Sequence, residues 1–103
     1  LGAVPVIPYA QPSTQELADG LIPYLQDYDA FLLENHGTVP VGTDLIKAFY
    51  KTETLEYNAT ITYMARLLGS SNELSREEID KLLAAFQKNN PGARHPGYVK
   101  FND

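Results

Sequence analysis

Few residue types in this chain can carry metal or nucleophilic chemistry, because the sequence holds two histidines and no cysteine. His36 lies in the stretch AFLLENHGTVPVG, residues 30–42, where an apolar run typical of a short buried strand leads into a glycine-containing turn. A catalytic zinc normally takes three protein ligands, and no His-x-His or His-x-x-x-His pattern places His95 on the same face as His36. A complete metal site made from this chain alone is therefore not expected.

The sequence also lacks the patterns of other common chemistries. There is no G-x-S-x-G elbow for nucleophilic catalysis, and the scattered glycines form neither a G-x-G-x-x-G motif nor a Walker phosphate loop. On the residues alone, His36 is best interpreted as a turn histidine whose ring nitrogens bond to the backbone. Metal ligation is the alternative.

Composition narrows the classes of partner. Eight Lys and Arg against thirteen Asp and Glu give a net charge of -5, and no basic stripe follows the chain, so nucleic acid is not an expected partner. No apolar run approaches the roughly 20 residues that cross a bilayer, so no membrane partner is expected either. The length suits one modest domain, and the absence of cysteine is compatible with a reducing cytoplasm. The first residue, Leu1, suggests a fragment or a processed product.

Short apolar stretches predict the strands that position His36. AVPVIPY, interrupted by Pro5 and Pro8, predicts an edge strand or an extended segment. DYDAFLLEN predicts a strand over residues 30–33, and TVPVG predicts a second one, which Pro40 assigns to an edge.

Capping signals predict the helices before and after these strands. Ser13 and Glu16 form a capping-box pattern, which predicts a helix from about residue 14 that Gly20 and Pro23 kink or divide in two. A further capping box in SREEIDKLLAAFQKN, residues 75–89, predicts the last helix. The following tail, PGARHPGYVKFND, is expected to be irregular because of its glycines and prolines, with His95 solvated.

A long helix is predicted over residues 43–68, with Thr43 as its cap and Gly69 at its end. One face of this helix is apolar and aromatic, and comprises Leu45, Phe49, Thr52, Leu55, Ala59, Tyr63 and Leu67. Such a stripe predicts core packing against the sheet, and an aromatic ligand platform is the alternative. The elements together predict an α/β domain with a largely antiparallel sheet flanked by helices.

Two strings of the sequence resemble the second half of the class II aldolase and adducin-type domain. They are VPVIPYAQPSTQELADGL and DAFLLENHGTVPVGTDLIKAFYKTETLEYNATITYMARLLG, which cover residues 4–69 almost completely. The most specific part is the apolar strand ending in NHG, followed by VG and by a long helix containing ETLE. The family includes sugar-phosphate aldolases, an epimerase, a dehydratase and the non-catalytic adducins.

The resemblance implies that His36 is the third ligand of a catalytic Zn²⁺. The first two ligands would lie in an upstream His-x-His motif, and a catalytic carboxylate and phosphate-binding loops would lie earlier still. Residues 1–103 would then be the C-terminal portion of one three-layer αβα domain, with residues 91–103 as an irregular tail, and the first half of the domain would be a missing partner.

The activity implied by the resemblance is zinc-dependent retro-aldol cleavage without a Schiff base. The substrate would be a phosphorylated sugar, a ketose 1-phosphate such as L-fuculose 1-phosphate, and the products dihydroxyacetone phosphate and an aldehyde. An epimerase or dehydratase on the same scaffold, or an adducin-like binding module, are the alternatives. The implied assembly is a homotetramer.

The resemblance also implies a catalytic role for the C-terminal tail. In similar aldolases a C-terminal segment can close over the active site and present a tyrosine to the aldehyde half of the substrate. Tyr98 is the matching candidate here, as a donor of a proton to the aldehyde oxygen. The alternative role of Tyr98 is an aromatic anchor that holds the chain end on the surface.

Overall fold

The apolar run before His36 forms the central strand of a three-stranded sheet in the computed structural model, which describes residues 2–93 and 95–97. This strand, β2 (Ala30–Leu33), lies between β1 (Val6–Ile7) and β3 (Gly37–Pro40). β1 pairs with β2 in parallel and β3 pairs with it antiparallel. The predicted edge positions of the two proline-flanked segments are confirmed.

The helices follow in chain order. They are α1 (Gln15–Leu21), a 3-10 turn (Ile22–Tyr24), α2 (Leu45–Leu67) and α3 (Arg76–Asn89). The combination of sheet and flanking helices confirms the α/β class and fits a partial domain. Among the described residues, no helix is both long enough and apolar enough to cross a membrane.

A small core lies on one face of the sheet. Ile7, Phe31 and Leu33 form its buried centre, and Phe31 has no exposed surface at all. Side chains two positions apart on a strand share a face, which is why Phe31 and Leu33 are buried together while Leu32 between them is only half-buried. Leu17 and Leu21, four positions apart on α1, cover this centre from the helical side.

The start of α1 differs from the prediction. The capping residue is Thr14, and it makes no side-chain capping bond, since its hydroxyl donates to the Gln11 carbonyl instead. Ser13 adopts a left-handed φ of 65°, which is incompatible with the extended backbone of a capping residue, so the predicted Ser13 and Glu16 capping box was wrong. The predicted division of this region is confirmed, because Pro23 lies in the first turn of the separate 3-10 segment.

The cap of α2 lies one residue later in the chain than predicted. This cap is Asp44, whose carboxylate accepts a hydrogen bond from the Lys47 N–H at 2.9 Å, so the assignment of Thr43 was wrong. The end near Gly69 is confirmed, since this residue has a φ of 125° that favours glycine. Gly42 lets the chain pass close to the helix start, because a Cβ there would lie 2.6 Å from the Ala48 nitrogen.

Most of the apolar face of α2 is exposed, which corrects the prediction that it packs in the core. Only Leu55 is buried on this helix. A helix of 23 residues is about 35 Å long, whereas the four-residue strands span about 13 Å, so the sheet is too short to cover it. The exposed large side chains of the helix are Leu45, Ile46, Phe49, Tyr50, Tyr57, Ile61, Tyr63, Met64 and Leu67.

The capping box of α3 is confirmed. The Ser75 hydroxyl accepts from the Glu78 N–H at 3.2 Å, and the Glu78 carboxylate accepts from the Ser75 N–H at 2.9 Å. Leu83 is the buried residue of this helix.

Candidate metal-ligand turn

His36 lies in the tight turn that joins β2 to β3. The His36 N–H donates to the Leu33 carbonyl at 3.0 Å, and Asn35 takes a left-handed φ of 58°, a conformation that asparagine adopts more readily than most residues. These local features direct the chain back along β2, where Leu33 pairs with Gly37. His36 is therefore held at the end of the central strand, on an element fixed by the sheet.

The imidazole of His36 is exposed. Within residues 2–93 and 95–97 it has no hydrogen-bond partner, so the backbone-bonded turn histidine expected from the residues alone is not what this turn shows. An exposed imidazole without a protein partner in this part of the chain can offer a ring nitrogen to a metal ion. His36 is therefore compatible with the ligand role that the resemblance implies.

One imidazole does not complete a site. The described residues contain no group of three His, Cys, Asp or Glu side chains that could hold a metal ion. Any metal centre that includes His36 therefore needs further ligands from outside the described part of this chain.

Glu34 ties the turn to the neighbouring strand, a role that sequence analysis missed. Its N–H donates to the Ile7 carbonyl at 3.1 Å, and its carboxylate accepts from the Tyr9 N–H at 2.9 Å. An acidic residue directly after a buried strand is a signal that could have been noticed. The Tyr9 N–H could not have been predicted as the partner of Glu34, because the pairing of β1 with β2 depends on segments far apart in the sequence.

His95 is not solvated as predicted, and it takes part in no metal cluster of the described residues. Its ring packs edge-on against Phe86 with 4.8 Å between ring centroids, and its Nδ1 accepts from the Gly97 N–H at 3.0 Å. Burial lowers the pKa of His95 below its ordinary value, because the charged ring loses solvation there. These contacts give His95 a packing role in the tail.

Tyr98, the candidate from the tail, lies outside the described residues.

The chain belongs to the class II aldolase and adducin family. Its residues 1–63 match the family model described as "Class II Aldolase and Adducin N-terminal domain". The turn that carries His36 and the first part of α2 lie within the matched range.

Curated relatives match more than half of the chain. The chain is 37% identical over 82 residues to a rhamnulose-1-phosphate aldolase of Bacteroides thetaiotaomicron, covering 79% of this chain and 30% of that protein. It is 39% identical over 64 residues to a 3-oxo-tetronate 4-phosphate decarboxylase of Pectobacterium atrosepticum, covering 62% and 29%. It is 31% identical over 80 residues to a 5-deoxy-D-ribulose 1-phosphate aldolase of Bacillus thuringiensis, covering 78% and 38%.

The chain therefore spans between 29% and 38% of the length of these three relatives. No solved structure matches it significantly.

Proposed function

We propose that this chain contributes to a zinc-dependent aldolase that cleaves a ketose 1-phosphate, such as L-fuculose 1-phosphate, into dihydroxyacetone phosphate and an aldehyde. The observation that carries the proposal is His36, exposed at the end of a central strand inside the region that matches the family. Two relatives named as sugar-phosphate aldolases, each covering more than three quarters of this chain, support the reaction and the substrate class.

In this proposal His36 supplies one neutral imidazole to the zinc, and the other ligands come from a first half of the domain. When bound, zinc acts as a Lewis acid toward substrate oxygens. The chain's own contribution is rigidity, because the His36 backbone is held by the Leu33 carbonyl and the turn is tied to β1. A ligand on a fixed element holds its position better than one on a loose loop.

The same proposal makes residues 1–103 the C-terminal portion of a single class II aldolase-like domain, with residues 91–103 as its tail. The exposed apolar face of α2 supports this, since one contiguous face of large apolar side chains marks a surface that another polypeptide covers. The first half of the domain and neighbouring subunits of a cytoplasmic homotetramer are the proposed partners. Tyr98 remains the proposed proton donor to the aldehyde, with surface anchoring as its alternative role.

A second candidate is decarboxylation of a sugar-acid phosphate. The match at 39% identity to a 3-oxo-tetronate 4-phosphate decarboxylase favours it. Both reactions break the bond between the α-carbon of a ketone and the carbon beyond it, and they differ in whether an aldehyde or carbon dioxide leaves. An epimerase, a dehydratase and an adducin-like binding module remain further alternatives on this scaffold.

The test uses the complete protein that contains this chain, with His36→Ala and, as matched control, His95→Ala at the other histidine. Zinc content after dialysis is measured by atomic absorption. The two reactions are followed by release of dihydroxyacetone phosphate from ketose 1-phosphates and of carbon dioxide from 3-oxo-tetronate 4-phosphate.

We expect His36→Ala to lose stoichiometric zinc and activity while the fold survives, because an exposed turn side chain contributes little to the core. His95→Ala should keep its zinc. Stoichiometric zinc in His36→Ala would rule out His36 as a ligand. Release of carbon dioxide without retro-aldol cleavage would show that decarboxylation, and not aldol cleavage, is the reaction of the protein.

A further inference from the structure

Within the part of the chain that the structure describes, the side chain of the proposed ligand His36 makes no hydrogen bond, so its position depends on the backbone of residues 34–36. One end of this turn is continuous with β2, which is hydrogen-bonded on both sides. The other end continues into β3, an edge strand. Whatever restrains Glu34 therefore restrains the start of the turn that carries His36.

The pairing of β1 with β2 ends at Glu34 in an unusual way. The Leu32 N–H donates to the Pro5 carbonyl at 3.0 Å and the Glu34 N–H donates to the Ile7 carbonyl at 3.1 Å, which is the alternation of a parallel ladder. Continued regularly, the ladder would next join the Tyr9 N–H to the Glu34 carbonyl. The Glu34 carboxylate accepts this N–H instead, at 2.9 Å.

The side-chain bond has a geometric consequence. Because the carboxylate reaches Tyr9, the Glu34 carbonyl is released from the ladder and the chain can turn while remaining attached to β1. Hydrogen bonds from an N–H to an ionised carboxylate are shorter and stronger than those between neutral groups. Pro8 has no N–H, so the Tyr9 N–H is the first donor after Ile7 in this segment.

We propose that Glu34 is a positioning residue for the metal ligand, acting through its hydrogen bond to the Tyr9 N–H to hold the turn in which His36 meets the metal. This inference rests on the proposed role of His36. Glu34 itself touches neither metal nor substrate in this proposal. Its carboxylate bonds to the Tyr9 N–H and not to the His36 ring, so it acts through the backbone, by restricting the positions that the turn can take.

The experiment compares Glu34→Ala with Glu34→Gln in the complete protein, with Glu53→Ala as a control at an exposed glutamate of α2. Zinc affinity is measured by competition with a chromophoric chelator, and exchange of the Tyr9 amide by hydrogen exchange in the metal-free protein. The amide oxygen of glutamine can still accept from the Tyr9 N–H, whereas alanine cannot.

We expect Glu34→Ala to weaken zinc binding by about 10-fold, at the lower end of what loss of a supporting group costs, and to speed exchange at Tyr9. Glu34→Gln should restore most of both properties, and Glu53→Ala should change neither. Unchanged zinc affinity in Glu34→Ala, with zinc binding lost in His36→Ala, would overturn only this inference. Retention of zinc by His36→Ala would overturn the proposed function and this inference with it.

Discussion

At the scale of single residues, His95 shows how one proton can control a local contact. Its Nδ1 accepts the Gly97 N–H, so this nitrogen must be unprotonated in the folded chain. The ring also rests against Phe86. The charged groups that line cavities together with this ring are Asp29, Lys47 and Lys51 in one cavity and Glu73 in another.

The pKa of His95 is lowered in the folded state, first by desolvation, so the unfolded chain binds the proton more readily. The stabilising contribution of the contact is therefore fully present above the ordinary histidine pKa of about 6.5 and declines as the pH falls below it. We expect protection of the Gly97 amide against hydrogen exchange to fall between pH 7.5 and pH 5 in the complete protein, beyond the intrinsic pH effect on exchange.

His95→Asn is the matched variant for this prediction, because the Asn side-chain oxygen can accept the same N–H and does not titrate. Its Gly97 protection should be independent of pH over that range. An equal pH response in both proteins would assign the effect to another group.

At the scale of elements, α3 depends on a local signal that can be tested directly. Replacing Ser75 by Ala removes the side-chain acceptor for the Glu78 N–H and leaves that donor without its capping partner. We expect a loss of about 1 kcal/mol in the free energy of unfolding, measured by urea denaturation of the complete protein.

Ser71→Ala is a suitable control for this change, since Ser71 is exposed and lies outside the helices. It should leave the urea midpoint nearly unchanged. Equal midpoints for Ser75→Ala and Ser71→Ala would show that the capping box contributes nothing measurable.

The same sequence pattern predicted α3 correctly and α1 incorrectly. Ser75 has an extended backbone and completes its box, whereas Ser13 takes a left-handed φ and cannot. The spacing of Ser and Glu does not encode the backbone angle, which depends on how the preceding segment leaves β1. Local signals therefore predicted that both helices form, but they predicted the start of α3 only and not that of α1.

At the scale of the whole molecule, the exposed face of α2 bears on the stability of the chain by itself. Large apolar side chains such as Phe49, Tyr57 and Leu67 are more than half exposed. The buried core is small by comparison, with Phe31 and Ile7 as the largest fully buried side chains. A chain with so little buried apolar area is marginal in stability by itself.

We therefore expect residues 1–103, produced alone, to aggregate or to associate and to show no cooperative thermal transition as a monomer. Calorimetry measures the thermal transition, and size-exclusion chromatography measures the association. Co-production with the proposed first half of the domain is the control that should restore a cooperative transition. A monomeric elution volume together with a sharp transition for the isolated segment would contradict the half-domain proposal.

The sequence predicted the edge positions of two strands, the long helix and the turn that carries His36, because each depends on a few neighbouring residues. It could not identify the exposure of α2 or the bond from Glu34 to Tyr9. The first depends on how far the short sheet reaches along the 23-residue helix, and the second on pairing between segments 25 residues apart. Periodicity shows that a face is apolar but does not show what covers it.

The packing of Gly2 has a consequence for how the chain connects to its surroundings. A Cβ on Gly2 would lie 2.5 Å from Cε1 of His95 and 2.7 Å from the Gly97 nitrogen, so the two ends of the described chain lie side by side. Polypeptide joined ahead of residue 2 would therefore run past the ring of His95. Any side chain at position 2 would have to displace that ring or the Gly97 backbone, so the first described residue and the tail contact depend on each other.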